Sequence, residues 1–132
     1  MLLLVSGCNS KEVPKEEVEK QDVILTTNDN SYSLEVEKIE FVLENNSNDV
    51  LYTHVSPTLV IKTDTGWKEL KMNDTAAFCG NLDLIREDFK LEFHLSWYDE
   101  LKPGEYRVSY GIYSGNELEE ASYKVSKEFR LE

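Results

Sequence analysis

Between Asp88 and Trp97 the chain alternates strictly between polar and apolar residues, and this segment constrains the fold most strongly. The apolar positions are Phe89, Leu91, Phe93, Leu95 and Trp97, and the polar ones are Asp88, Lys90, Glu92, His94 and Ser96. Successive side chains of a β-strand point to opposite faces, so the segment predicts a strand with one face in a core and the other in water. His94 falls on the wet face, where we interpret it as an exposed spacer rather than a ligand or a general base.

Shorter segments with the same period occupy the chain from Asp22 onward. Turn-forming residues break them at intervals of about 8–12 positions, which is the spacing of β-sandwiches and barrels. The predicted strands are Val23–Thr27, Tyr32–Glu44, Val50–Val55, Thr58–Thr63, Trp67–Leu70, Asp88–Trp97, Tyr106–Ile112 and Ala121–Leu131. The apolar phase slips at Glu37 and Lys38, which predicts a bulge or a break there. The irregular stretch from Met72 to Arg86 predicts a long loop with room for one helical turn.

The charge of the chain excludes some classes of partner. The 132 residues include 26 acidic and 14 basic ones, and the formal net charge is −12. Because nucleic acids and anionic lipid headgroups are negatively charged, this excess argues against nucleic-acid binding and against electrostatic docking on a membrane. The length suffices for one domain whose core needs neither a metal nor a disulfide.

The short motifs that mark common active sites are missing from the sequence. Gly-x-Ser-x-Gly, His-Glu-x-x-His, Cys-x-x-Cys and phosphate-binding glycine runs are all absent. Asp83, Glu87 and Asp88 come nearest to a carboxylate cluster; they could form an acid pair or a calcium site, but we interpret them as a solvated loop. His54 lacks a partner at metal-ligand spacing. We therefore predict no enzyme, no cofactor and no metal site.

The beginning of the chain has a different pattern. An apolar run, Met1–Val5, is followed by the small residues Ser6 and Gly7, then by Cys8 and a polar stretch. This order resembles a bacterial lipoprotein signal, in which Val5, Ser6 and Gly7 with Cys8 fill the four places of the lipobox. The resemblance implies cleavage before Cys8, a thioether-linked diacylglycerol on its sulfur and acylation of the freed amine.

Such a modification implies a location. A lipid at Cys8 anchors the protein to the cell membrane on its extracytoplasmic face, because two or three acyl chains hold a protein stably. Five apolar residues cannot span a bilayer, which needs about 20. A signal also has a basic start and about 7–15 apolar residues, so we hypothesise that the reading frame begins further upstream.

The two cysteines and the local composition indicate how the chain is divided into segments. If Cys8 carries lipid, Cys79 has no partner for a disulfide, and its apolar surroundings predict a buried, unreactive thiol. Residues 9–21 mix both charges and lack a wide apolar stripe, which indicates a flexible linker. We therefore divide the chain into a signal remnant with the lipobox (1–8), a charged linker (9–21) and a β domain (22–132).

The segment Leu101-Lys102-Pro103-Gly104-Glu105-Tyr106 turns into a strand whose first inward residue is a tyrosine. It resembles the tyrosine corner of immunoglobulin-like sandwiches, in which the phenol bonds to the backbone a few residues upstream. The chain also has an Asn-rich turn after Ile39–Leu43 and a tryptophan, Trp67, in the next hairpin. With these three features it is similar to the bacterial immunoglobulin-like (Ig-like) domains found in lipoproteins. The resemblance implies an all-β, antiparallel Ig-like sandwich of about seven to eight strands with Greek-key connections, and a structural role for Tyr106.

These features predict a non-catalytic cell-envelope lipoprotein whose Ig-like domain binds a protein or a cell-wall component. An alternative is a protease inhibitor that acts through the exposed loop Asn73–Ile85, within the irregular segment 72–86. A further idea is stacking of carbohydrate on aromatic rings. Most of the aromatic residues concerned lie on core-facing phases, so we interpret them as packing residues; they are Tyr52, Tyr98, Tyr110, Tyr113, Trp67 and Trp97.

Overall fold

The computed structural model describes residues 22–76, 78, 82–114 and 120–132. Several sequence predictions fall on residues outside these ranges and stay predictions. They concern the lipobox residues Val5, Ser6 and Gly7, the lipidation site Cys8, the linker 9–21 and the thiol of Cys79. No helix within the described ranges is long and apolar enough to cross a membrane.

The described residues form ten β-strands and one 3₁₀ helix. The strands are β1 (Val23–Thr27), β2 (Ser31–Tyr32), β3 (Lys38–Asn45), β4 (Leu51–Thr53), β5 (Thr58–Thr63), β6 (Gly66–Leu70), β7 (Asp83–Ile85), β8 (Asp88–His94), β9 (Gly104–Ser114) and β10 (Tyr123–Leu131). The 3₁₀ helix, Leu95–Trp97, follows β8 directly. The strands form two sheets packed face to face, which confirms the all-β sandwich.

The smaller sheet has the order β1-β3-β8, and both of its pairings are antiparallel. Phe41 in the central strand pairs with Thr27 of β1 and with Leu91 of β8. Alternate residues of β3 are buried, as its sequence predicts, and the residues between them are more exposed. The sheet therefore gives one face to the core and the other to solvent.

The larger sheet is built around β9. On one side β9 pairs with β10 from Gly104↔Leu131 to Ile112↔Tyr123. On its other side β9 pairs with two strands in succession, β5 near its start and β4 near its end. β6 extends the sheet beyond β5, and β7 extends it beyond β4. The two-residue strand β2 pairs with the far side of β10 in parallel.

The interruption between β4 and β5 contains Pro57. Proline has no N–H to donate to a sheet ladder, and Pro57 is buried in the gap between the two strands. The sequence predicts two strands separated at this proline, and the structure shows that both lie along the same neighbour. The edge of the larger sheet is thereby divided into a part with β5 and β6 and a part with β4 and β7.

Aromatic side chains from both sheets meet in the core. Phe129 of β10 lies 5.7 Å from Phe41 and 6.1 Å from Phe93, between ring centroids, and its ring stacks on that of Tyr106 at 5.8 Å. Such pairs contribute about 0.5–1.5 kcal/mol beyond the area they bury. The residues that are fully buried around them include Val23, Ile39, Leu43, Leu59, Val108, Ile112 and Leu131.

Three details differ from the sequence pattern or define it more closely. The phase slip at Glu37 and Lys38 is a break, because β2 ends at Tyr32 and β3 begins at Lys38. The alternating strand ends at His94, since the next three residues turn into the 3₁₀ helix. The segment predicted as a loop, 72–86, contains β7. The separate short strands β2 and β7 bring the described strands to ten, against the expected seven to eight.

Candidate functional site

Tyr106 lies at the start of β9 and is fully buried. Its hydroxyl donates a hydrogen bond to the carbonyl oxygen of Lys102 at 2.6 Å and accepts one from the N–H of Lys102 at 3.0 Å. Burial raises the pKa of the phenol, and the backbone hydrogen bond at Lys102 opposes that shift. A neutral phenol bonded in this way joins the chain before β9 to the core and offers no reactive group to solvent.

A groove of about 700 Å³ lies at one end of the sandwich. We call it the end groove. One wall is the loop between β3 and β4, and the other is the turn between β7 and β8. Its lining consists of Asn45, Ser47, Asn48, Asp49, Val50, Tyr52, Leu84, Ile85, Arg86, Glu87 and Asp88.

Asn45 holds the two walls of the end groove in place. Its side-chain oxygen accepts hydrogen bonds from the N–H of Ser47 at 3.0 Å and from the hydroxyl of Ser47 at 2.7 Å. Its own N–H donates to the carbonyl oxygen of Glu87 at 3.1 Å, across to the opposite wall. Asn side chains favour such turns because they bond to nearby backbone. The Asn-rich loop is therefore fixed against the β7–β8 turn.

The charged residues that line the end groove are mostly acidic. Asp49, Glu87 and Asp88 contribute three carboxylates, and Arg86 is the basic residue among the lining side chains. Beside Asp88 in the smaller sheet, Glu44 occupies the directly opposite position on β3. Like charges placed directly opposite each other across two strands are destabilising. The end of the sandwich thus concentrates negative charge on the groove.

An apolar row leads from the end groove across the outer face of the larger sheet. Tyr113 of β9 pairs with Tyr52 of β4, and Tyr52 pairs with Leu84 of β7. All three are half-buried, and Tyr52 and Leu84 also line the groove. The ring of His54 meets that of Tyr113 edge-on at 5.3 Å. We call Tyr113, Tyr52 and Leu84 the outer row.

Gly111 leaves room for the outer row. A β-carbon built at Gly111 would lie 3.3 Å from the ring edge of Tyr113 and 3.1 Å from the β-carbon of Ala121. Both distances are tighter than ordinary side-chain contacts, so any larger residue at this position would have to displace one of the neighbours. The Tyr113 ring therefore lies close over the backbone of β9.

The remaining aromatic residues singled out in the sequence are placed differently. Tyr98 and Tyr110 are buried, and desolvation raises the pKa of both phenols. Trp67 lies under the guanidinium of Arg107 at 4.3 Å, and Trp97 packs against Phe93 at 5.9 Å. Of this aromatic set, Tyr52 lines the groove and Tyr113 pairs with it in the outer row. Packing accounts for the others.

The candidate ionisable residues do not converge on a catalytic centre. Glu87 and Asp88 line the end groove, whereas Asp83 pairs with Thr53 in the sheet. The imidazole of His94 is a third exposed and contacts Glu92 at 3.3 Å. No group of three His, Cys, Asp or Glu residues within the described part of the chain could hold a metal ion.

The first part of the loop after β6 is held against the 3₁₀ helix. The side-chain amide of Asn73 donates to the carbonyl oxygen of Ser96 at 2.9 Å and to the carboxylate of Asp99 at 2.8 Å. The ring of Phe78 meets that of Trp97 edge-on at 5.0 Å. The described residues of the segment proposed as an inhibitory loop therefore pack on the domain at its beginning.

The sequence did not predict the end groove, because its walls come from segments that are distant in the chain. A partial signal is present in the turn cluster Asn45–Asp49 and in the acidic residues Glu87 and Asp88, but no local pattern connects these two segments. In the comparison with known families, a model described as a bacterial Ig-like domain matches residues 19–132. No curated protein matches the chain.

Proposed function

The chain belongs to the bacterial Ig-like domain family, and from this premise we propose that it is a non-catalytic interaction module of the cell envelope. We propose that it holds its ligand in the end groove and along the outer row. The observation that carries the proposal is the continuity of the two: Tyr52 and Leu84 belong to both. A concave site with apolar anchors and a few polar groups is the usual form of a binding site.

Membership of the family supports a binding role rather than a catalytic one, since an Ig-like domain suggests an interaction module. The loops at the end of a sandwich are where such folds present ligand-binding residues. The end groove lies among those loops and combines Val50 and Tyr52 with carboxylates and an arginine. The family match does not favour the alternative of a protease inhibitor acting through Asn73–Ile85.

The second part of the proposal is an anchor at Cys8, supported by the resemblance of Val5–Cys8 to a lipobox. The described domain begins at Asp22, whose carbonyl oxygen accepts a hydrogen bond from the N–H of Asn46 at 2.7 Å. The described part of the domain therefore begins beside the end groove, directly after the predicted linker 9–21 in the sequence. A chain of that length reaches at most about 45 Å. In an anchored protein the groove would therefore stay within about that distance of the membrane surface.

The binding site is tested by photo-crosslinking from a light-activated amino acid placed at Tyr52 in the intact protein. We expect irradiation of envelope preparations to give a reproducible adduct. A matched variant with the same group at Asp64, in the hairpin turn at the opposite end of the sandwich, should not give it. Identical adducts from both positions, or none from Tyr52, would contradict the proposal.

The anchor is tested separately by feeding labelled palmitate to cells that produce the full-length protein. We expect the protein to take up label and to partition into the membrane fraction. The Cys8→Ser variant should lose both properties, and Cys79→Ser should keep them. Label that persists in Cys8→Ser would contradict the anchor without affecting the binding proposal.

A further inference from the structure

We infer that the end groove takes a basic peptide segment of a partner protein, with an apolar side chain beside its lysines or arginines. This inference rests on the proposed function and specifies the ligand of the same site. It is drawn from three properties of the groove: its exposed apolar residues, its charge and the further carboxylate of Glu44 beside it.

The apolar part of the site is accessible. Val50 is 58% exposed and lies directly before β4. Tyr52 and Leu84 are half-buried and lie next to each other across β4 and β7. Together they form an apolar surface in the lining of the groove. Covering it removes apolar area from water, which contributes about 25 cal/mol per Å².

The negative charge of the groove favours a positively charged ligand. Asp49, Glu87 and Asp88 outnumber Arg86 in the lining. The stem of a bound lysine or arginine could cover Tyr52 while its charged head reaches these carboxylates. Complementary charges of this kind raise the association rate and reject partners of the wrong sign.

A further carboxylate, that of Glu44, lies beside the lining and adds to its negative potential. Glu44 opposes Asp88 across β3 and β8, and the ion pairs found among the described residues involve neither of them. Burial raises the pKa of Tyr123, and the nearby charges of Asp22 and Asp49 raise it further. A cation in the groove would relieve the repulsion between these groups.

Other occupants fit the charge less well. A nucleic acid or an acidic polymer would meet carboxylates at a site whose chain already carries −12. A second copy would bring the same negative charge. The chain's own segment 9–21 has Lys11, Lys15 and Lys20, but four glutamates lie among them. A basic segment from another protein is the occupant that the charges favour.

The test measures binding of the full-length chain to labelled synthetic peptides by fluorescence polarisation. The probe is Gly-Lys-Leu-Lys-Gly-Lys-Leu-Lys-Gly. Two comparison peptides replace every lysine by glutamate or every leucine by glycine. We expect the probe to bind most tightly, the glutamate peptide not to bind, and the affinity for the probe to fall with added salt because the attraction is electrostatic.

Variants of the groove locate the binding. Glu87→Gln with Asp88→Asn should weaken probe binding about tenfold. Glu35→Gln with Asp64→Asn removes the same charge from exposed positions at the other end of the sandwich and should change binding less than about twofold. Val50→Ser should weaken binding of the probe but not of the glycine peptide, since only the probe has leucines to cover the apolar surface.

The outcomes separate this inference from the proposed function. Equal losses in the groove pair and in its control would overturn the inference, because they would indicate non-specific attraction. Self-association of the chain that the groove variants abolish would assign the groove to a second copy and would also overturn it. If crosslinking from Tyr52 captures a partner while the groove variants bind the probe unchanged, the inference fails and the proposed function stands.

Discussion

Tyr106 and Tyr110 lie on the same face of β9, and both rings are buried, but their hydroxyl groups have different surroundings. The Tyr106 hydroxyl bonds twice to Lys102. The Tyr110 hydroxyl is buried without a hydrogen-bond partner among the described residues. Burying a hydroxyl without a partner is costly, whereas a bonded one contributes about 1 kcal/mol. The two residues therefore allow a direct comparison.

We predict opposite effects of removing the two hydroxyls. Tyr106→Phe leaves two backbone groups of Lys102 without their partner and should lower the free energy of unfolding by about 1–2 kcal/mol. Tyr110→Phe removes an unpaired group and should leave that free energy unchanged or raise it. Denaturant unfolding followed by tryptophan fluorescence measures both. Equal destabilisation by the two substitutions would show that the Tyr106 hydrogen bonds contribute nothing specific.

For a single residue, the sequence indicates its role when the group that it contacts lies only a few positions away in the chain. The Pro103-Gly104 turn lies within a few residues of Tyr106, so the pattern indicates both the tyrosine and its backbone partner. Whether the Tyr110 hydroxyl has a hydrogen-bond partner depends on residues of β4, β5 and the 3₁₀ helix region, which are distant from it in the sequence. No short pattern contains that information.

At the scale of elements, the hairpin of β5 and β6 turns through Gly66. Its φ is 134°, a conformation that residues with a β-carbon rarely adopt. The hydroxyl of Thr63 donates to the carbonyl oxygen of Gly66 at 2.9 Å, which closes the turn. Trp67 follows directly and lies beneath Arg107, so the turn also places the cation–π pair.

We predict that Gly66→Ala lowers the free energy of unfolding by about 1–2 kcal/mol, because alanine is strained at positive φ. Gly104→Ala is the matched control. A β-carbon at Gly104 would lie 3.6 Å from the side chain of Ile61, an ordinary contact, and the change should cost little. Thermal unfolding of both variants measures the difference. A tolerated Gly66→Ala with an unfavourable Gly104→Ala would contradict it.

Element types followed from the sequence better than element ends did. The period-two pattern in Asp88–Trp97 indicates a strand because alternation is a local property. The pattern cannot show that Leu95 turns into a 3₁₀ helix, whose position depends on a hydrogen bond from the N–H of Leu95 to the carbonyl oxygen of Glu37 at 3.2 Å. β7 was missed because its three residues form a strand only through pairing with β4.

For the molecule as a whole, the buried tyrosines predict how stability depends on pH. Burial raises the pKa of Tyr98, Tyr106 and Tyr110 above the ordinary value near 10. A raised folded-state pKa contributes stability that is complete below the unfolded pKa and is lost as the pH rises above it. The unfolded chain releases these protons first, so alkali favours unfolding.

We therefore predict that the melting temperature falls steeply above about pH 10, and that part of the phenolate absorbance appears only on unfolding. Tyr110→Phe removes one of the titrating groups, and its melting temperature should fall less steeply over the same range. Melting curves between neutral and alkaline pH measure both proteins. Parallel slopes would show that Tyr110 titrates normally in the folded protein.

The sandwich follows from local patterns, and the candidate site does not. Alternation, turn residues and the segment around Tyr106 together indicate the fold. The end groove arises where the loop after β3 meets the turn before β8, through the bond from Asn45 to Glu87. The acidic and apolar residues of the groove come from both walls, and they form a binding surface only when the fold brings the two walls together.

The parallel pairing of β2 with β10 has a mechanical consequence. The N–H of Glu132 donates to the carbonyl oxygen of Tyr32, and the N–H of Leu34 donates to the carbonyl oxygen of Glu132. Asp22 and Glu132 lie at opposite ends of the sandwich, so tension between them loads these bonds in shear. Bonds in shear must rupture together, whereas the bonds of a peeled hairpin break one after another. We therefore expect a pull between Asp22 and Glu132 to load the pairing of β2 with β10 in shear rather than to peel it.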